Sequence, residues 1–191
     1  MKNTNASKLP YKILGVDPGT NVLGYAILEI DGKHLKVITM GEVHLTKFDS
    51  HQEKLKEIFL QLQEVIETYL PREMAVESPF FGKNVQSMLK LGRAQGVAMA
   101  AAMTMGLNIT EYSPKKIKKA VTGNGNASKE QVSAMLCRML KITINSKLLD
   151  SSDALAAAVT KHHEMSNPLI GMSGAKSWKA FMAKNPGRVK G

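Results

Sequence analysis

Ile13-Leu14-Gly15-Val16-Asp17-Pro18-Gly19-Thr20 is the stretch that decides how this chain is read. An apolar run ends on an acid, and a tight turn follows at once. The run predicts a buried strand from Tyr11 to Asp17, which sets the carboxylate at the strand's C-terminal end. Gly19 allows the backbone to pass close to a ligand, and Thr20 and Asn21 can hydrogen-bond one. Asp-Pro-Gly is equally ordinary turn chemistry that needs no ligand. By itself the segment leaves both readings open.

Working outward, Val22 to Ile30 reads as a second strand, Asp31-Gly32 as a hairpin turn and Leu35 to Leu45 as a third strand. The period then changes: Leu55, Ile58, Phe59, Leu62, Val65, Ile66 and Tyr69 share one helical face, so His51 to Leu70 is a helix that stops before Pro71. Met74 to Glu77 is a short strand, Asn84 to Met105 a long helix rich in Gly and Ala, and Leu107 to Tyr112 a fifth strand. Ser113-Pro114 fits N-cap and N1 of a basic helix from Lys115 to Val121. Ser128 with Gln131 is a capping-box pattern for the next helix, and Asp150 opens a last one that runs to about His163. These elements predict an α/β layer fold with a mixed sheet. Residues 11–165 form the domain, 1–10 an N-terminal extension and 166–191 a basic tail without clear patterning.

Three further acids repeat the arrangement at Asp17. Glu77 closes Met74-Ala75-Val76, and Asp150 and Asp153 open the apolar run Ala154 to Val159. Spacing of three puts Asp150 and Asp153 on one helical face, where two like charges repel unless something positive lies between them. Each has a plain alternative: a glutamate at a strand end can simply be solvated, and acids in a first turn suit the helix dipole or an N-cap. As a set, four carboxylates at the ends of core elements suggest a hard divalent cation such as Mg²⁺, which takes oxygen ligands.

That set sits in a basic chain. The 191 residues carry a net charge of +10 with a pI near 9.7, while 43% hydrophobic and 22% charged content is ordinary for one globular domain. Lys and Arg in such excess favour a polyanionic partner, most simply nucleic acid, over a merely solvated basic surface. Cys137 is the only cysteine, so no internal disulfide forms, and its neighbours Met135, Leu136, Met139 and Leu140 place it in the core. The polar start from Met1 to Pro10 lacks a signal-peptide stretch, and Val97 to Met105 is too short to span a bilayer, which predicts a cytoplasmic protein without membrane contact.

Lys115, Lys116, Lys118 and Lys119 cluster beside the Gly123-Asn124-Gly125-Asn126 loop, with Lys129 just after it. Such a run is either a solvated face or a phosphate contact. It is not a nucleotide-binding P-loop, because no Gly precedes Lys129 and Glu130 stands where Ser or Thr is required. Phe80-Phe81 follows Glu77 closely and suits either base stacking or core packing. His34, His44, His51, His162 and His163 show no ligand spacing.

On these residues the chain resembles the bacterial RuvC-type Holliday junction resolvases of the RNase H-like superfamily. The matching segments are Ile13 to Thr20 with Gly24-Tyr25, Ala75-Val76-Glu77 with Phe80, and Leu89 to Ala98. Glu111-Tyr112 and Asp150 to Ala156 complete the match, which covers about Tyr11 to His163. The resemblance implies a three-layer fold with a five-stranded mixed sheet in order 3-2-1-4-5, flanked by helices. It implies a DNA endonuclease of recombination and repair that resolves four-way junctions by paired symmetrical nicks. Asp17, Glu77, Asp150 and Asp153 become the catalytic metal ligands for two Mg²⁺ per subunit, replaceable by Mn²⁺. Phe80 becomes a base-engaging aromatic, and Lys118 and Lys129 face the scissile phosphate region. The family also implies a homodimer through the Asn84 to Met105 helix, whose small residues suit close helix approach, and cooperation with the RuvAB branch-migration complex. The chain departs from the family in its N-terminal extension and in Ser78-Pro79 before Phe80.

Three other classes stay in view. A related RNase H-like nuclease for structured RNA such as precursor rRNA shares the first strand motif but is not expected to share Leu89 to Ala98. The first strand and turn are also similar to the first phosphate loop of actin-like and sugar kinases, although the chain is short for their two lobes. A non-catalytic junction-binding protein needs no set of four acids.

Overall fold

The structure, a computed structural model, describes residues 9–79, 84–144 and 149–166. The chain divides into two compact units, Met1–Lys161 and His162–Gly191. Of the second unit only residues 162–166 are described, and the account below is of the first.

Five strands form one sheet: β1 (Tyr11–Asp17), β2 (Val22–Asp31), β3 (His34–His44), β4 (Glu73–Glu77) and β5 (Asn108–Tyr112). Their order is β3-β2-β1-β4-β5, as the resemblance implied. β1 pairs antiparallel with β2 and parallel with β4, and β4 pairs parallel with β5. Among the described residues the helices are α1 (His51–Tyr69), α2 (Val85–Thr104), α3 (Pro114–Thr122), α4 (Lys129–Leu140) and α5 (Leu149–Ser166).

Local chemistry fixes the helix ends. Ser50 and Glu53 close a capping box on α1, and Ser128 and Gln131 close the expected one on α4. Ser113 caps α3 with Pro114 at N1, and Gly123 ends it in the left-handed conformation at φ 80°. α5 begins one residue before Asp150, which therefore lies in its first turn and does not cap it.

Strand alternation splits the core between the two sheet faces. Leu14 and Val16 pack with Ile58, Leu62 and Ile66 of α1 and Ala94, Ala98 and Ala101 of α2. On the other face Ile13, Ala26 and Ala75 pack with α3, α4 and the Ala154–Val159 stretch of α5. Cys137 departs from expectation: the buried line of α4 is Val132, Leu136 and Leu140, which leaves Cys137 half-buried at its flank.

Candidate metal centre and phosphate cleft

The two faces explain why the acids meet. Ile13 and Ala75 belong to the face covered by α5, so period-two alternation puts Asp17 and Glu77 on that same face. The parallel register pairs Val16 with Val76, so the next residues, Asp17 and Glu77, leave adjacent strands side by side. Above them lies the start of α5. Its approach depends on two glycines: a Cβ on Gly15 would stand 1.9 Å from the Ala154 carbonyl oxygen, and one on Gly24 would stand 2.1 Å from that of Asp150. Only hydrogen at these Cα atoms lets the helix backbone lie directly on β1 and β2. Asp150 and Asp153, one helical turn apart, are thereby lowered towards Asp17.

The result is a trio in which Asp17, Asp150 and Asp153 each offer a carboxylate oxygen, all within 4.8 Å of one another. Glu77 stands outside that trio but shares a cleft of about 390 Å³ with Asp17 and Asp153. The remaining walls are Pro114, Ile117, Lys118, Lys129 and Val132. A smaller cavity on the other side of the same two acids is bounded by Pro18, Ser78, Pro79 and Leu91.

Electrostatics follow from this crowding. Burial, then the charges of Glu77, Asp153 and Asp150, push Asp17 from 3.8 to about 8, against a lowering pull from Lys129. Glu77 is raised from 4.5 to about 7 by burial and by Asp153, opposed by Lys129 and Lys118. Lys129 Nζ lies 2.5 Å from Asp153 Oδ2, and that bond helps hold the ammonium above its ordinary pKa although desolvation opposes it. Lys129 is more than half exposed, so the pair positions the two groups more than it stabilises the fold. An all-oxygen donor set in which burial and crowding raise Asp17 and Glu77 fits a hard divalent cation, which would relieve the repulsion and offset the burial.

Of the expected site residues, Asp17, Glu77, Asp150, Asp153, Lys118 and Lys129 come together here, while Phe80 lies outside the described residues. The lysine cluster separates: Lys118 lines the cleft, Lys116 sits over the Tyr112 ring at 4.6 Å, and Lys115 packs on the Gly125 loop. Sequence reasoning did not reveal the apolar wall of Ile117 and Val132 or the role of Gly15 and Gly24. Glycines at alternate strand positions on the face of a terminal acid were the available signal.

Comparison with known proteins bears on the family and the fold. The family model described as Crossover junction endodeoxyribonuclease RuvC matches residues 13–162. Relatives carrying that description in Porphyromonas gingivalis and Bacteroides fragilis are each 53% identical. Those matches span 93% of this chain, with 96% of the first relative and 95% of the second covered. The Thermus thermophilus RuvC structure in complex with a Holliday junction superposes with a TM-score of 0.76 at 28% identity, covering 81% of this chain and 94% of that one. The yeast mitochondrial Holliday junction resolvase, at 13% identity and a TM-score of 0.63 over 85% of this chain and 84% of that one, shares the fold. With its RNase H-like sheet and this degree of identity, the chain belongs to the RuvC family of crossover junction endodeoxyribonucleases.

Proposed function

We propose that this member of the crossover junction endodeoxyribonucleases resolves four-way DNA junctions at the cleft of Asp17, Glu77, Asp150 and Asp153, in recombination and repair. The observation that carries the reading is the convergence of those four acids beside Lys118 and Lys129. Asp17, Glu77, Asp150 and Asp153 would hold two Mg²⁺ ions. Mn²⁺ offers the same hard coordination and would substitute. When bound, such a pair of ions supplies activation of the attacking water and charge stabilisation at the leaving oxygen.

The chain's own residues do the rest. Lys118 and Lys129 attract the scissile phosphate into a cleft whose acids would otherwise repel it. Ile117 and Val132 form the apolar wall against which the strand lies and reduce water access to the acids. Lys129, bonded to Asp153, fixes that carboxylate's direction and links the metal ligands to the phosphate. Water oxygen attacks phosphorus and the bond to the 3′ oxygen breaks, which leaves a 5′ phosphate and a 3′ hydroxyl. Phe80, three residues after Glu77, is assigned to the crossover bases.

The subunit arrangement we assign is a homodimer through α2. Its outer face presents Val85, Leu89 and Met103 at 66%, 51% and 59% exposure, with Gly92 and Gly96 opening onto free space between them. That spacing is one helical stripe, and burying it against its own copy removes apolar surface from water. Two-fold symmetry then sets two sites on strands of like polarity and yields paired nicks. RuvAB, acting on the same junction, is the partner we assign, and the cytoplasm is the compartment. Among the described residues no helix is long and apolar enough to cross a membrane.

Incubation with a mobile four-way junction, linear duplex DNA and single-stranded RNA, with and without Mg²⁺, tests the reading. Symmetrical nicks on the junction alone, only with metal, are expected. Comparable cleavage of duplex or RNA would contradict it.

A further inference from the structure

The cleft lysines approach the acids from one sheet face only, through α3 and α4. On the opposite face a second group of cations reaches the same end of the sheet. Lys54, in the first turn of α1, donates from Nζ to the carbonyl oxygen of Thr20 at 3.4 Å, so its charge sits against the turn that follows Asp17. His51 lies one turn before it on the same helical side. On α2, Leu91 bounds the smaller cavity shared with Asp17 and Glu77, and Lys90 and Arg93 are exposed on the same stretch of the helix. Arg93, Lys90 and Lys54 all lie close enough to His51 to lower its pKa, after burial, so the two helices bring their positive charge to one place. His51 Nε2 is buried and has no hydrogen-bond partner among the described residues.

Nearby acids do not cancel this charge. The Glu53 carboxylate turns back to accept from the Ser50 backbone amide and hydroxyl at 3.2 and 2.9 Å. Glu57 faces Lys47 at 3.8 Å. Among the described residues, neither of these two carboxylates is paired with Lys54, Lys90 or Arg93.

The geometry points to a second phosphate track: Lys54, Lys90 and Arg93 hold the DNA backbone on the α1–α2 side of the acids, opposite Lys118 and Lys129. This rests on the junction-cleaving reading above and extends it. A strand crossing four carboxylates meets repulsion there, and cations on a single side would hold it off-centre. With cations on both sides, the phosphates either side of the scissile one are held and the scissile one is brought over the acids. Residues of this kind add affinity and register without reading bases, so their signature is salt dependence.

The test is binding of a labelled four-way junction in Ca²⁺, which suppresses turnover, over a salt titration. Wild type is compared with the triple variant Lys54→Gln, Lys90→Gln, Arg93→Gln and with Lys118→Ala. Each phosphate contact contributes roughly 0.9 to the log–log slope, so the triple variant is expected to lower the slope by about 2–3 and to weaken binding on the order of tenfold or more near 0.1 M salt. The charge-preserving variant Lys54→Arg, Lys90→Arg, Arg93→Lys is expected to keep most of the slope, and circular dichroism melting verifies that all variants fold. An unchanged slope in the triple variant, while Lys118→Ala loses about one unit, would overturn the second track and leave the first reading standing. Wild-type protein that neither prefers the junction nor responds to salt would overturn both.

Discussion

Replacing Asp17 by Asn should stabilise the metal-free protein, and the gain should grow with pH. Asp17 is raised from 3.8 to about 8 and Glu77 from 4.5 to about 7. Folded pKa values above the unfolded ones mean that the folded chain binds protons more tightly. The stabilisation tied to those protons is fully present below about pH 4 and is lost as pH rises through about 7 to 8. At roughly 1.4 kcal/mol per pH unit, keeping Asp17 charged at pH 9 costs the metal-free fold on the order of 5 kcal/mol. Asparagine removes the charge but leaves an amide to be desolvated, so about 2–3 kcal/mol is expected to be recovered. For a domain of this size that raises Tm by about 5–10 °C. The assay is thermal unfolding of wild type and Asp17→Asn in chelator at pH 5, 7 and 9. The advantage of the variant should be small at pH 5 and level off above pH 8. Added Mg²⁺ should raise the wild-type Tm most at pH 9 and the variant's much less, because metal competes with the proton for the same oxygens. An advantage that does not change with pH, or a variant less stable than wild type at pH 9, would refute the convergence of charge at Asp17.

Other outcomes follow from the same geometry. Lys129→Met removes the ammonium beside Asp153 and should lower the salt slope of junction binding by about one and slow cleavage about 10²-fold, read by gel shift and single-turnover kinetics. Gly15→Ala places a methyl group against the Ala154 carbonyl and should cost about 2–4 kcal/mol in urea unfolding, with weaker Mg²⁺ binding as α5 is lifted from the sheet. A tethered dimer of wild type with Asp17→Asn should nick one strand of a plasmid-borne junction and stop; full resolution in a single binding event would show that the sites are shared or that one site cuts twice.

Much of the fold was legible because its signals are local. The apolar runs at Tyr11 to Asp17 and Val22 to Ile30 reflect strands buried on both faces, and the period-3.6 run from His51 a helix buried on one, which sequence spacing records directly. Ser113 and Ser128 mark helix starts through hydrogen bonds made within four residues. The four acids were legible for a related reason, since each ends or begins a core element. What stayed hidden depends on contacts between distant segments. Nothing in the sequence around Lys129 points to Asp153, 24 residues later, yet the two are bonded. Nor does Gly15 reveal that it lies beneath Ala154. Spacing alone also did not show which of five nearby lysines faces the acids; α3 turns Ile117 and Val121 inwards, and Lys118 follows them to the cleft edge. Cys137 was misplaced because its apolar neighbours are spaced around the whole helix, and only Val132, Leu136 and Leu140 take the buried line.

The central claim is that the four acids act on the phosphodiester while the basic surface supplies the affinity. Junction affinity and single-turnover cleavage rate, measured side by side for wild type and Asp17→Asn in Mg²⁺, test it most directly. The account predicts affinity within about threefold of wild type and cleavage slower by at least roughly 10³-fold. A folded Asp17→Asn protein that still cuts junctions near the wild-type rate, or that loses binding in step with cleavage, would contradict it.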